Sequence, residues 1–136
     1  MNIEGFLKTL NEEEDPKGFH TDIEKDTVEN SSFRKVLHTA PKLQLVVMSL
    51  KPQEDIGLET HKDDQFIRVD KGSGTALIGE EEYSLKDGSA IIIPGGVKHN
   101  ITAGRKGIKL YTVYASNHHP DGAIHDTKEE ALEAEK

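Results

Sequence analysis

The 136-residue sequence predicts an all-β domain, an antiparallel sandwich or barrel flanked by short helical segments. Three observations carry that expectation. Between residues 33 and 115 the chain is written in short β-rich runs; glycine-bearing turn signals separate the runs; and helical spacing is confined to the two ends.

Residues 3 to 10, IEGFLKTL, put Ile3, Phe6, Leu7 and Leu10 at helical spacing, and Pro16 and Gly18 break the pattern that follows. The runs KLQLVVMSL, QFIRV, TALIG, EYSL, AIIIP and IKLYTVY come next, giving roughly six to eight strands. DKGSG, KDG and PGG supply connections, because glycine takes positive φ without a Cβ clash. The acidic run Glu80 to Glu82 reads as an exposed hairpin turn. Thr127, with Glu130 three residues on, gives DTKEEALEAEK a capping-box start for a short polar helix. The organisation is therefore an N-terminal helix and arm over 1–32, a β-barrel over 33–116, and a C-terminal loop and short helix over 117–136.

Composition excludes several classes of function. A chain of this length is read as one domain with a core that needs no staple. There is no cysteine, so thiolate metal sites, thiol nucleophiles and disulfides are ruled out. A net charge of −8 argues against a nucleic-acid partner, whose phosphates need concentrated Lys and Arg. The opening residues lack the basic end and apolar run of a signal peptide, and no segment reaches membrane-spanning length. No membrane partner and a cytoplasmic location are expected.

The chemically dense stretch is LETHKDDQF, residues 58 to 66. Glu59 and His61 are two apart, so an extended backbone points both to one face. Gln65 opens the next run, with Ile67 and Val69 on its face and Phe66 and Arg68 on the other. His99 follows the sharp connection Pro94-Gly95-Gly96. Each signal alone has a plain reading: a chance Glu-x-His pair, a hydrogen-bonded histidine, an amide that ligates poorly. Two donors from one extended segment, one from the next strand and one from a distant strand can nevertheless converge inside a small barrel.

With these residues in view, the sequence resembles a cupin. Gly88, Pro94, Gly96 and His99 keep the spacing of the family's second motif, with Ala103 where its final asparagine belongs. In the first motif Glu59 stands at the place of the first histidine, His61 at the second, Gln65 at the glutamate, and Gly72 closes it. Gln53 holds the place of the opening glycine, and Gly57 lies nearer the ligands. The resemblance covers about residues 40 to 116. It implies a jelly-roll, a double-stranded antiparallel β-helix, with one divalent transition metal per chain on Glu59, His61, Gln65 and His99. The carboxylate has moved to the first position and an amide fills the old one. Two oxygen and two nitrogen donors favour Mn, Fe or Ni, with Zn also suitable, over metals that prefer soft ligands.

The resemblance also implies that the face of Gln44, Val46 and Met48 and the face of Leu110, Thr112 and Tyr114 line a pocket; the plain reading of Met48 and Leu110 is core. A glutamine cannot ionise, so a catalytic base would be Glu59 or Tyr114. His118, His119 and His125 lie just beyond the barrel. They could close its mouth or serve as acid–base groups, but the preferred reading is a mobile, solvated loop. The expected function is a metalloenzyme acting on a small polar, oxygen-rich substrate, as a sugar or sugar-acid isomerase, lyase or decarboxylase. A dioxygenase and a non-catalytic metal-binding or small-molecule-binding module are the alternatives. A homodimer is expected, with Phe33, Val36, Leu37, Phe66 and Arg68 as surface outside the motifs.

Overall fold

The structure, a computed structural model, describes residues 15–116 and 118–135. The helix expected over residues 3 to 10 lies outside them. The first described element is a helix the sequence reading missed, α1 (Ile23–Glu29). Its apolar residues are too few for a clear period, but Asp22 caps it by accepting from the Lys25 N–H at 3.2 Å. It packs on the outer side of the sheet, where the Lys109 Nζ donates to the Asn30 carbonyl at 2.6 Å.

Seven strands follow: β1 (Arg34–Ala40), β2 (Leu43–Leu50), β3 (Gln65–Ile78), β4 (Glu81–Leu85), β5 (Ala90–Ile93), β6 (His99–Tyr114) and β7 (Ile124–His125). All pair antiparallel, in the order β4-β3-β6-β2-β1-β7, with β5 also on β3. QFIRV and TALIG were expected as separate strands joined by a turn at DKGSG. They are the two halves of one bent strand, β3. Register shifts between Val69 and Lys71 and between Gly72 and Gly74 let it bend without losing its pairing to β6. Gly72 makes the corner possible: its φ is +101°, and a Cβ there would lie 2.3 Å from the Gly107 carbonyl oxygen.

Residues directly opposite one another in antiparallel strands share a face. Gln44 pairs with Tyr114, Val46 with Thr112 and Met48 with Leu110; Gln65, Ile67 and Val69 pair with the same three β6 residues. All nine are buried, so this is the concave face of the barrel. Phe33 and Val36, expected on a dimer surface, are 2 % and 4 % exposed and belong to the core. Val36 is drawn inward because it pairs with Val46.

The C-terminal helix, α2 (Lys128–Ala134), forms as its capping signal predicts, with the Thr127 hydroxyl accepting from the Glu130 N–H at 3.1 Å. Ala131 is buried in the core. Two ion pairs hold the helix to the barrel, Lys128 Nζ to Asp55 Oδ1 at 2.6 Å and Arg34 Nη1 to Glu135 Oε1 at 3.0 Å. Among the described residues no helix is long and apolar enough to cross a membrane.

Candidate metal centre

The segment carrying Glu59 and His61 is held by its backbone. Glu59 and His99 exchange both main-chain hydrogen bonds at 2.9 Å, which sets their side chains on one face. The Pro94-Gly95-Gly96 turn then clamps the residues after Glu59. The Gly96 N–H donates to the His61 carbonyl at 2.7 Å, and the Gly95 N–H to Asp64 Oδ1 at 2.8 Å. A Cβ on residue 95 would stand 2.2 Å from the Lys62 carbonyl oxygen. Spacing in the second motif is thus a packing requirement that delivers His99 beside Glu59 and His61.

The side chains converge. His61 Nε2 is 3.3 Å from Glu59 Oε2, and the His61 ring is 5.0 Å from that of His99 and 4.0 Å from that of His118, centre to centre. Glu59, His61 and His118 offer ligand atoms that all lie within 4.8 Å of one another. His99 Nδ1 lies 3.0 Å from the Val97 carbonyl. A carbonyl only accepts, so Nδ1 carries a proton, and in the neutral tautomer with that bond Nε2 is the nitrogen that can ligate a cation.

Gln65 is oriented from behind. The Thr112 hydroxyl donates to the Phe66 carbonyl at 2.9 Å and accepts from Gln65 Nε2 at 2.8 Å. That arrangement fixes which end of the amide faces Thr112. It leaves Gln65 Oε1 buried with no hydrogen-bond partner among the described residues. An orphaned oxygen of this kind, beside a carboxylate and imidazoles, suits a bound cation.

Burial dominates the electrostatics. It pushes the Glu59 carboxyl up to about 7 and the His61 imidazole down to about 4, the latter helped by the neighbouring His118 and His99. Burial also lowers His118, holds His119 down to about 3, and raises the Tyr114 phenol above its ordinary value. Burial thus favours the neutral forms of Glu59, His61 and His118, and a neutral imidazole has a nitrogen lone pair available. No lysine or arginine among the described residues forms an ion pair with Glu59.

The structure therefore groups Glu59, His61 and His118, with the His99 ring beside that of His61 and with Gln65 and Tyr114 lining the same cavity as Glu59 and His99. A small cavity is lined by Glu59, Gln65, His99 and Tyr114, with Ile56 and Ile67 among the apolar walls. Val46, Met48 and Leu110 do not line it; they are fully buried core, and Thr112 acts behind Gln65. Gln44 is not pocket wall but clamp. Its Oε1 accepts from the His119 and His118 N–H groups at 2.9 and 3.2 Å, and its Nε2 donates to the His119 carbonyl at 2.7 Å.

Those bonds overturn the mobile, solvated-loop reading for His119, whereas His118 stays exposed to solvent. His119 is 8 % exposed, and the His118 ring stacks on Tyr114 at 4.6 Å. The sequence signal that could have found them is the buried amide of Gln44, which needed a polar partner from somewhere. His125 stays on β7, paired through its backbone to Arg34. The larger cavity, about 810 Å³, lies elsewhere, lined by Lys51, Lys71, Arg105 and Lys109 among others; none of the candidate ligands borders it.

Comparison with known proteins agrees with this architecture. The family described as "Cupin domain" matches residues 46–114. YrkC of Bacillus subtilis (strain 168) is 41% identical over 128 residues, covering 88% of this chain and 69% of that protein. The crystal structure of BH2720 from Bacillus halodurans superposes with a TM-score of 0.84 at 40% identity, covering 87% of this chain and 96% of the other. KdgF from Halomonas sp. shares the fold at a TM-score of 0.61 and 20% identity, over 79% and 93% of the two chains. The bent strands, the buried concave face and the clamp at Pro94-Gly95-Gly96 are those of a small jelly-roll barrel, and this chain belongs to the cupin family.

Proposed function

We propose that the chain is a metal-dependent enzyme acting on a small, polar, oxygen-rich substrate by a non-oxidative route, an isomerisation, lyase reaction or decarboxylation. The observation that carries the reading is the cluster of Glu59, His61 and His118, whose ligand atoms lie within 4.8 Å of one another, with the His99 ring beside that of His61 and Gln65 lining the same cavity as Glu59 and His99. Glu59, His61, His99 and Gln65 would hold the ion, with His118 as a further donor at the mouth. Bound there, a divalent metal such as Mn, Fe, Ni or Zn supplies Lewis acidity toward a substrate oxygen.

The chain's own groups divide the remaining work. Glu59, held near neutrality by burial, takes or returns a proton at its Oε2. Tyr114, whose phenol burial keeps protonated, donates a hydrogen bond instead of acting as base. Thr112 keeps Gln65 from turning its amide nitrogen toward the cation. His118 and His119, pinned by Gln44, cover the opening and limit water.

A second reading, a metal-binding module without catalysis, is favoured by the size of the cavity, about 10 Å³, room for about one water or ion. Elemental analysis combined with a substrate panel separates the two. Roughly one transition-metal ion per chain, lost in both His61→Ala and His99→Ala, together with turnover of a uronate, keto acid or diketone without dioxygen uptake, supports the enzyme. A full metal complement with no turnover across the panel supports the module. Metal retained by both histidine variants removes the site altogether.

A further inference from the structure

Arg34 is a buried charge whose donors are only partly met. It stands opposite Met48 in the β1–β2 register, so its side chain projects to the concave face, and that side chain is only 4% exposed. A guanidinium offers five N–H donors and cannot shed its charge. Its Nη1 meets Glu135 at 3.0 Å and its Cζ lies 5.5 Å from the Phe33 ring centre, yet its buried Nε has no hydrogen-bond partner among the described residues. A carboxylate that uses both of its oxygens engages two guanidinium nitrogens at once, whereas Glu135 reaches Nη1 and leaves Nε unmet. The barrel has buried a guanidinium and met only part of its donors.

The partner is also poorly fixed. Glu135 is the C-cap residue of the seven-residue α2, and its side chain is 46% exposed. The last turn of α2 carries no basic residue, so acidic charge sits at the helix end where the dipole disfavours it. Movement is required in any case, since the cavity beside Glu59 has about 10 Å³ and admits no organic molecule with its walls in place. Met48, which stands opposite Arg34, shares the concave face with Gln44, and Gln44 pairs with Tyr114, which lines the cavity beside Glu59.

We propose that Arg34 is the docking group for a substrate carboxylate, and that Glu135 occupies it as an intramolecular stand-in until the substrate displaces the end of α2. The inference rests on reading that cavity as a substrate site and makes that substrate an organic acid. It also makes α2 a plug: the ligand must compete with a carboxylate that is always present.

Isothermal titration of the metal-free protein with succinate tests this, with succinamide as the neutral control. Glu135→Gln keeps the helix and removes the competing charge, so it should bind succinate about three- to tenfold more tightly than the parent. Arg34→Met should bind it at least about tenfold more weakly, with Arg34→Lys between the two. Equal succinate affinity in the parent and Glu135→Gln, or no succinate heat in either, overturns the proposal. Binding retained in folded Arg34→Met also overturns it, and if that variant does not fold, Glu135→Gln decides alone. Metal content is read on the same samples: failure of the metal site leaves the succinate result intact, and the reverse holds as well.

Discussion

Replacing Glu59 with glutamine should make the metal-free protein more sensitive to acid, although it removes an acidic group. The sign follows from two opposed shifts. Glu59 has a folded value of about 7 against a reference of 4.5, so its contribution to stability is present in acid and is lost as pH rises toward 7. His61 at about 4 and His119 at about 3, against 6.5, behave oppositely: their contribution is present above 6.5 and is lost as pH falls. Near pH 5.5 unfolding therefore takes up about one proton on each histidine and releases about one from Glu59, a net uptake of about one. His118, also lowered, adds in the direction of the other two histidines. The parent should lose about 1 kcal/mol between pH 6 and 5, and Glu59→Gln about 2 kcal/mol. For a chain of this length that is roughly 3 to 5 °C in Tm for the parent and roughly 6 to 10 °C for the variant. Thermal melts of chelator-treated protein across pH 5 to 6.5 measure both slopes. Equal slopes would mean that Glu59 is already ionised at pH 5.5, and the picture of a protonated acid among neutral imidazoles would fail.

Three further expectations concern the supports of the site and the assembly. Thr112→Val, isosteric but unable to hold the Gln65 amide, should weaken metal binding by about tenfold with stoichiometry unchanged; affinity equal to the parent's would remove Gln65 from the ligand set. Gly95→Ala must push the Lys62 carbonyl away from a Cβ only 2.2 Å distant, so it should cost about 1–3 kcal/mol in melting experiments and loosen metal binding; a variant matching the parent in both would show that the clamp is idle. We also propose a homodimer, through the outer face where Phe66 pairs with Ile92, which is 67% exposed. Sedimentation should give twice 15.1 kDa for the parent and one chain for Ile92→Lys, and a parent sedimenting as a single chain contradicts it.

The barrel was legible because most of its constraints are local. Alternation in KLQLVVMSL and IKLYTVY is a statement about which side chains face inward, and the register of β2 on β6 follows it residue by residue. Strand ends were less legible. DKGSG reads as a turn because glycine and aspartate permit one, and only pairing with β6 across a bulge shows that the strand continues. α1 was invisible for a related reason. Its seven residues owe their helicity to the Asp22 cap and to the sheet beneath them, and tertiary support leaves little mark on a short local pattern.

The site divides along the same line. Glu59, His61 and His99 could be read because extended spacing and a glycine-rich turn are written in consecutive residues. Arg34 and His118 could not. Each is a polar residue whose meaning depends on a partner far along the chain: Glu135 for one, and Gln44, which grips the His118 N–H, for the other. Gln44 is the instructive case, since alternation correctly places it on the concave face while saying nothing of its task. A buried amide with two donors and an acceptor is a demand for partners, and in this barrel the demand is met by Thr39 and by the backbone of residues 118 and 119. The consequence is mechanical. The same hydrogen bonds that satisfy a core glutamine hold the backbone of two histidines beside the candidate ligands, so loosening Gln44 would free both. The placement of His118 and His119 is set by a polar group within the barrel wall, and the ligand spacing alone could not have revealed it.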